Sequence, residues 1–135
     1  MALALLRLAV FTGNQEYQRL AVTSLRSVRD HLARMPAGFS HWLAALDFYL
    51  STPKEIVVIG PRADPATQAL LRVGYRRYLP NRAIAGAEAV LRGDTMPLLN
   101  GRALVDGRPT AFVCEQYACK LPVTNPAALG EQLAG

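Results

Sequence analysis

The first fifty residues carry apolar positions at three- and four-residue steps, which is the period of an α-helix. The first apolar segment is hydrophobic on nearly every side and ends at Gly13, so it predicts a buried helix. Asn14 is a favourable N-cap for a second helix, and a third apolar face precedes Pro53. The pattern predicts three helices with short connections, as in helical hairpins. The second helix is predicted to run unbroken along the stripe Tyr17, Ala21, Leu25, Val28, Leu32 and Met35.

After Pro53 the pattern changes to one that is typical of strands. Residues 56–59 form an aliphatic run between charged residues and a Gly-Pro turn, which predicts a strand buried on both faces. Asp64 and Pro65 predict the start of a helix, and a weaker strand pattern follows at residues 82–88. Strand, helix and strand at this spacing predict a βαβ unit.

A third strand is predicted at residues 110–114. Residues 119–123 are predicted to pair back on it around a loop of residues 115–118, before a last helix that follows a Thr-Asn-Pro turn. The predicted fold class is therefore mixed α/β, with N-terminal helical hairpins, a small βαβ sheet piece and a C-terminal helix. We expect residues 1–52 and residues 53–135 to be the two parts of one compact unit.

Composition and charge exclude some classes of protein. The 135 residues are 51% hydrophobic and 19% charged, and no apolar run reaches the roughly 18 residues that a membrane span needs. The net charge of +5 suggests a nucleic-acid partner, but the arginines are scattered along the predicted helices, which favours solvated helix faces. No basic segment precedes the apolar start, so we interpret it as a helix of the fold and expect a cytoplasmic protein.

The order of several segments resembles one protein family. The segments are LLRLAVFTGNQEY, LAALDFYL, EIVVIGP, YLPNRAIA and TAFVCEQYACKLPVTNP. They resemble, over essentially the whole chain, the C-terminal end of the thioredoxin domain-containing proteins related to spermatogenesis-associated protein. The resemblance implies a longer parent with a thioredoxin-like domain, followed by an α/α toroid similar to N-acylglucosamine 2-epimerases and six-hairpin glycosidases. It implies that this chain holds the last toroid helices and a terminal α/β piece, without the thioredoxin domain.

Cys114 and Cys119 are the candidate thiol pair. Four intervening residues without a helix N-terminus do not make a CxxC redox motif. A zinc site needs four ligands, and His31 and His41 lie far away on the helices. If residues 115–118 form a hairpin loop, the cysteines face each other at a distance that a disulfide accepts. We favour two buried, reduced thiols; the alternative is a functional pair, which the spacing shared with the family supports.

Two further features are weaker candidates for a site. Asp47 lies in an otherwise apolar helix face and is either a cavity carboxylate of the toroid or, as we favour, a salt-bridge partner. The loop GPRADP after the first strand lacks convergent N–H donors for a phosphate, because Pro61 and Pro65 have none. We therefore predict that the chain binds no cofactor and no metal.

The predicted function is structural. The chain would complete the toroid of a thioredoxin-domain, epimerase-like protein, and it is expected to have no activity as an isolated chain. The alternative is a small redox or carbohydrate-related enzyme module that uses Cys114 and Cys119. The expected partners are the rest of the parent toroid with its thioredoxin-like domain, or a second copy bound through the N-terminal helices. No membrane partner is expected, and nucleic acid is disfavoured.

Overall fold

The computed structural model describes residues 1–90, 96–116 and 118–134. The chain divides into two compact units, Met1–Thr52 and Pro53–Gly135. The first unit is helical and the second combines helices with a sheet, so the mixed α/β class predicted from the sequence is confirmed. Each unit has its own cluster of buried apolar side chains.

The helical unit begins with two helices whose junction lies where the sequence predicted it. The first ends at Gly13, whose φ of 65° is the left-handed conformation that glycine adopts without strain at a helix C-terminus. The second begins after Asn14, whose side chain accepts a hydrogen bond from the Glu16 amide at 2.9 Å. The elements of this unit are α1 (Ala2–Thr12), α2 (Gln15–Ser27), α3 (Arg29–Arg34), a 3-10 turn (Pro36–Phe39) and α4 (Ser40–Leu50).

The prediction of one unbroken second helix is wrong. The chain leaves the α-helix at Val28, whose amide donates to the Leu25 carbonyl at 3.3 Å, three residues back instead of four. The Ser27 hydroxyl donates to the Ser24 carbonyl at 2.8 Å, and such a side-chain bond competes with helical hydrogen bonding. The stripe therefore continues in the separate helix α3, and Met35 at its end is 61% exposed.

The first helix is less buried than its composition predicted. Ala2 and Leu6 are buried, whereas Leu8 is 43% exposed. The reason is geometric, since a helix that is apolar on every side needs neighbours on every side, and α1 packs on α2 and α4. The core of the unit is formed by Ala2, Leu6, Ala21, Leu25, Ala45 and Phe48.

The α/β unit is built on a mixed sheet. In the described residues the sheet has four strands in the order β2-β1-β3-β4, with β1 parallel to β2 and antiparallel to β3, which is antiparallel to β4. β1 and β2 are joined by α5, so the predicted βαβ unit is present. The elements are β1 (Lys54–Ile59), α5 (Pro65–Arg76), β2 (Arg82–Ala87), a 3-10 turn (Pro97–Leu99), β3 (Thr110–Glu115), β4 (Ala118–Cys119) and α6 (Pro126–Ala134).

The two faces of the sheet are covered differently. Alternate strand residues such as Ile56 and Val113 pack with α5 and α6, through Leu70 and Leu129, in one apolar cluster. The other residues of the same strands point to the opposite face, where the 3-10 turn Pro97–Leu99 contacts β1 and β2. Residues 56–59 are all buried, so the prediction of a strand covered on both faces is confirmed.

The hairpin between β3 and β4 is tighter than predicted. Glu115 pairs with Ala118, so the connection is two residues long instead of four, and Tyr117 within it lies outside the described residues. Gln116 has a φ of 48°, in the left-handed region that two-residue hairpin turns require. β4 ends at Cys119, and pairing resumes only as a single bridge between Ala111 and Val123. Pro122, which lies between Cys119 and Val123, has no N–H donor and interrupts the ladder.

Candidate functional site

A row of three side chains crosses the sheet at one end. Glu55 of β1 lies opposite Cys114 of β3, and Cys114 lies opposite Cys119 of β4. Residues directly opposite each other in antiparallel strands project to the same face. The row therefore lies on the face that the helices α5 and α6 do not cover.

The cysteines form a disulfide, with their Cα atoms 4.0 Å apart. The expectation of two buried, reduced thiols is wrong in two respects, because the thiols are joined and because Cys119 is exposed whereas Cys114 is 1% exposed. The physical reason is the register, which places the two cysteines directly opposite each other across the hairpin. The cysteines face each other across the hairpin as predicted, although its loop is residues 116–117 and not residues 115–118.

Arg102 lies against the disulfide. Its Nη2 atom is 3.3 Å from Cys114 Sγ, and its Nη1 atom is 3.9 Å from Cys119 Sγ. Two further contacts hold the guanidinium there: Nε donates to the Leu98 carbonyl at 2.7 Å, and Cζ lies 5.6 Å from the centre of the Phe112 ring. The structure thus aims a fixed positive charge at both sulfur atoms, and more closely at the buried one.

Glu55 and Arg102 influence each other in a partly buried setting. Burial raises the pKa of the Glu55 carboxyl, and the positive charge of Arg102 opposes that rise. Burial lowers the pKa of the Arg102 guanidinium, and the negative charge of Glu55 opposes that fall. A guanidinium stays protonated at any physiological pH, so the charge beside the sulfur atoms is permanent. The charge on Glu55 changes with pH.

The sequence reasoning identified the cysteines and missed Arg102 and Glu55. One signal for Glu55 was available, because it precedes the aliphatic run of β1 and alternation places it on the same face as Val57 and Ile59. No comparable signal exists for Arg102. It lies in irregular chain after the Pro97–Leu99 turn, and only the tertiary structure brings it to the disulfide.

The other predicted site residues, Asp47, His31 and His41, lie in the helical unit. Asp47 is exposed on α4, and its backbone carbonyl accepts the Ser51 amide at 3.0 Å. His31 and His41 are also exposed, and the His31 ring lies 5.9 Å from that of Phe39. Among residues 1–90, 96–116 and 118–134, no three His, Cys, Asp or Glu side chains are grouped as metal ligation requires.

The GPRADP loop uses its donors internally. The Asp64 side chain accepts from the Ala66 amide at 2.8 Å, and Glu88 accepts from the Arg62 amide at 3.2 Å. A Cβ atom at Gly60 would lie 2.5 Å from the Thr67 hydroxyl, so the turn needs glycine. Two carboxylates occupy the amides that an anion would need, and the loop therefore has the character of a helix cap.

Comparison with known proteins finds relatives that align with this chain over a small part of their own length. The fold defines a mixed α/β chain with a helical unit and a disulfide-bearing sheet unit, and neither a family model nor a solved structure matches it significantly. The chain is similar to Spermatogenesis-associated protein 20, with 30% identity over 132 residues to the Homo sapiens protein and 29% to the Mus musculus protein. The alignment covers 96% of this chain and 17% of each relative, so the chain spans about a sixth of their length.

The homology to part of a spermatogenesis-associated protein confirms the predicted resemblance to that extent. The alignment does not show a thioredoxin-like domain or a toroid, and both are part of the proposal made in the next section. In the described part of the chain, no helix combines the length and hydropathy that crossing a bilayer requires.

Proposed function

We propose that this chain is a structural, non-catalytic part of a longer thioredoxin-domain, epimerase-like protein, in which its helices complete an α/α toroid. The chain aligns along almost its whole length with about a sixth of its relatives, which supports a role as one part of a larger assembly. We place this part at the C-terminal end, and the protein in the cytoplasm. Asp47 on α4 is then a candidate carboxylate of the toroid cavity.

The observation that carries the proposal is the apolar surface of the helical unit. Leucine side chains of α1, α2 and α4 are exposed to solvent, and Leu50 at the end of α4 is 73% exposed. Burial of one such side chain contributes roughly 1.5–3 kcal/mol, so several exposed ones favour association with another surface. In the longer protein that surface would belong to neighbouring hairpins, and for the chain alone it would be a second copy. The exposed leucines of the three helices are Leu8, Leu20, Leu43 and Leu50.

The size of the native gene product tests this proposal. Intact-mass measurement on protein purified from its own cell is expected to give a polypeptide several times heavier than 14.7 kDa. If it does, hydrogen exchange should show α1 strongly protected in the long protein and weakly protected in residues 1–135 alone. Strand β1, which is buried within the α/β unit, serves as the internal control and should exchange equally in both. A native product of 14.7 kDa that sediments as a monomer would overturn the proposal.

A further inference from the structure

We propose that the Cys114–Cys119 disulfide is an exchange site for dithiols, at which a thiolate attacks the exposed Cys119 sulfur and Arg102 stabilises the departing Cys114 thiolate. This inference rests on the α/β unit and does not depend on the structural role of the helices. It concerns stoichiometric thiol–disulfide exchange, so it is compatible with a chain that performs no turnover by itself.

The two sulfur atoms are not equivalent toward an incoming thiolate. Exchange requires the attacking sulfur to reach one sulfur of the disulfide and to expel the other. Cys119 lies on the edge strand β4 and is exposed, whereas Cys114 is enclosed within the sheet. Access therefore selects Cys119 as the attacked atom and Cys114 as the leaving group.

The leaving sulfur is the one that lies nearer the guanidinium. Arg102 Nη2 is 3.3 Å from Cys114 Sγ, against 3.9 Å between Nη1 and Cys119 Sγ. A disulfide breaks faster when its leaving thiol is more acidic, and a neighbouring cation makes a thiol more acidic. In this partly buried setting the charge is weakly screened, so its effect on Cys114 exceeds that of an arginine at the surface.

Glu55 opposes Arg102 at the same sulfur. It lies across the ladder from Cys114, and its negative charge would disfavour a second negative charge there. Burial raises the pKa of Glu55, which keeps the carboxyl protonated to a higher pH than an exposed one. Among the described residues, Lys54 and Glu115 also lie nearby, but they form an ion pair and project to the face covered by the helices. Lys120, the neighbour of Cys119, donates to the Gln132 carbonyl of α6 at 2.7 Å. Arg102 and Glu55 therefore set the local potential with opposite signs.

The reaction balances with a dithiol as the reductant. One thiolate of the dithiol bonds to Cys119 Sγ, and the electron pair of the broken bond passes to Cys114 Sγ beside Arg102. The second thiolate then attacks the sulfur that is bound to Cys119, closes the disulfide of the reductant and releases the Cys119 thiolate. The dithiol loses two electrons and two protons; one proton goes to Cys119 and the other to solvent while Cys114 remains a thiolate.

A dithiol is favoured over a monothiol by the geometry of the pair. After the first step the Cys114 thiolate stays directly opposite Cys119, with the Cα atoms 4.0 Å apart in the intact disulfide. It can therefore attack Cys119 again and expel a monothiol at high effective concentration. Only an intramolecular second thiol competes with that return step.

The test measures the rate at which dithiothreitol reduces the oxidised chain, in native protein and in charge variants. Arg102→Gln is expected to slow reduction by about fivefold to tenfold, because the leaving thiolate loses its cation. Arg102→Lys should restore part of the rate, and Glu55→Gln should raise the rate above native. Arg108→Gln is the matched control, since Arg108 is exposed beside the opposite end of β3. Equal rates for Arg102→Gln and Arg108→Gln would overturn the proposal.

A second measurement uses the native sequence and does not depend on whether any variant folds. The reduced chain is titrated while its thiolate absorbance is recorded, and one thiolate should form at a pH well below 8.5, the ordinary pKa of cysteine. A glutathione control at the same thiol concentration should leave most of the disulfide intact. Absence of any thiolate below that pH, or equally complete reduction by glutathione, would contradict the mechanism.

Discussion

The helical unit and the α/β unit contain similar kinds of apolar residue but bury them to different extents. The largest side chains that are essentially inaccessible, among them Ile56, Leu70 and Val113, all belong to the α/β unit. In the helical unit the most completely buried residues are small, such as Ala21 and Ala45, while several leucines are exposed. A sheet covered on both faces closes its own core, whereas four short helices leave apolar side chains exposed to solvent.

The largest expected effect comes from matched truncations in the two cores. Leu70→Ala should lower the free energy of unfolding of the α/β unit by about 2–5 kcal/mol, because Leu70 is fully buried between α5 and the sheet. Leu6→Ala should cost the helical unit less, since its looser core can collapse around the gap. Urea unfolding measures the free energy of unfolding of each unit with its own probe. Hydrogen exchange of β1 reports the α/β unit, and the fluorescence of Trp42, the single tryptophan, reports the helical unit.

Exposed Leu121→Ala is the control for these truncations and should change stability by less than about 0.5 kcal/mol. An equal loss for Leu6→Ala and Leu70→Ala would remove the proposed contrast between the two cores.

Reduction of the disulfide is expected to have the next largest effect, and to confine it to the α/β unit. The bridge joins residues five apart, so chain entropy gives it about 2 kcal/mol at most. The unfolding of β1 should shift by that amount when the chain is reduced, while the Trp42 transition should stay in place. A much larger loss would show that the disulfide also holds the packing of the Arg102 segment.

Self-association tests the exposed side of the helical unit. We expect the isolated chain to form a two-fold dimer through its N-terminal helices at tens of micromolar. Leu8→Gln should weaken the dimer by about 1 kcal/mol, or roughly fivefold in dissociation constant, because it removes part of the exposed apolar surface of α1. Sedimentation equilibrium gives the constant, and Gln18→Ala on the exposed side of α2 is the control. A native chain that stays monomeric would contradict this expectation.

The smallest expected effect is the pH dependence that Glu55 contributes. Its pKa is raised in the folded state, so the folded chain binds more protons than the unfolded chain, and stability falls as the pH rises from about 4.3 through the folded pKa. Glu55→Gln removes this loss of stability. The difference in stability between the variant and the native chain should therefore favour the variant more at pH 7 than at pH 4. The gain should stay below about 1 kcal/mol, since the carboxyl is only partly buried and solvent screens it. Urea unfolding at both values measures the difference; a gain at pH 4 alone would contradict the sign.

Elements with local signals could be predicted from the amino-acid pattern alone. Gly13 and Asn14 marked a helix junction because their backbone and capping chemistry needs no distant partner. The aliphatic run of residues 56–59 predicted a doubly covered strand, because only such a strand tolerates apolar side chains on both faces. The continuous apolar stripe gave the wrong prediction at Val28, where the Ser27 hydroxyl donates to the Ser24 carbonyl and the α-helix ends.

The state of the cysteines, in contrast, depends on contacts between residues that are distant in the chain. The spacing of Cys114 and Cys119 was compatible with reduced thiols or with a bridge, and the choice depended on a two-residue hairpin and its register. The approach of Arg102 depends on how a loop covers one face of the sheet, and the pairing of Glu55 with Cys114 depends on the register of β1 and β3. Periodicity predicts which face of an element a residue occupies, but it does not predict which distant residue contacts it there. The contact between Arg102 and the sulfur atoms joins distant residues, so periodicity could not predict it.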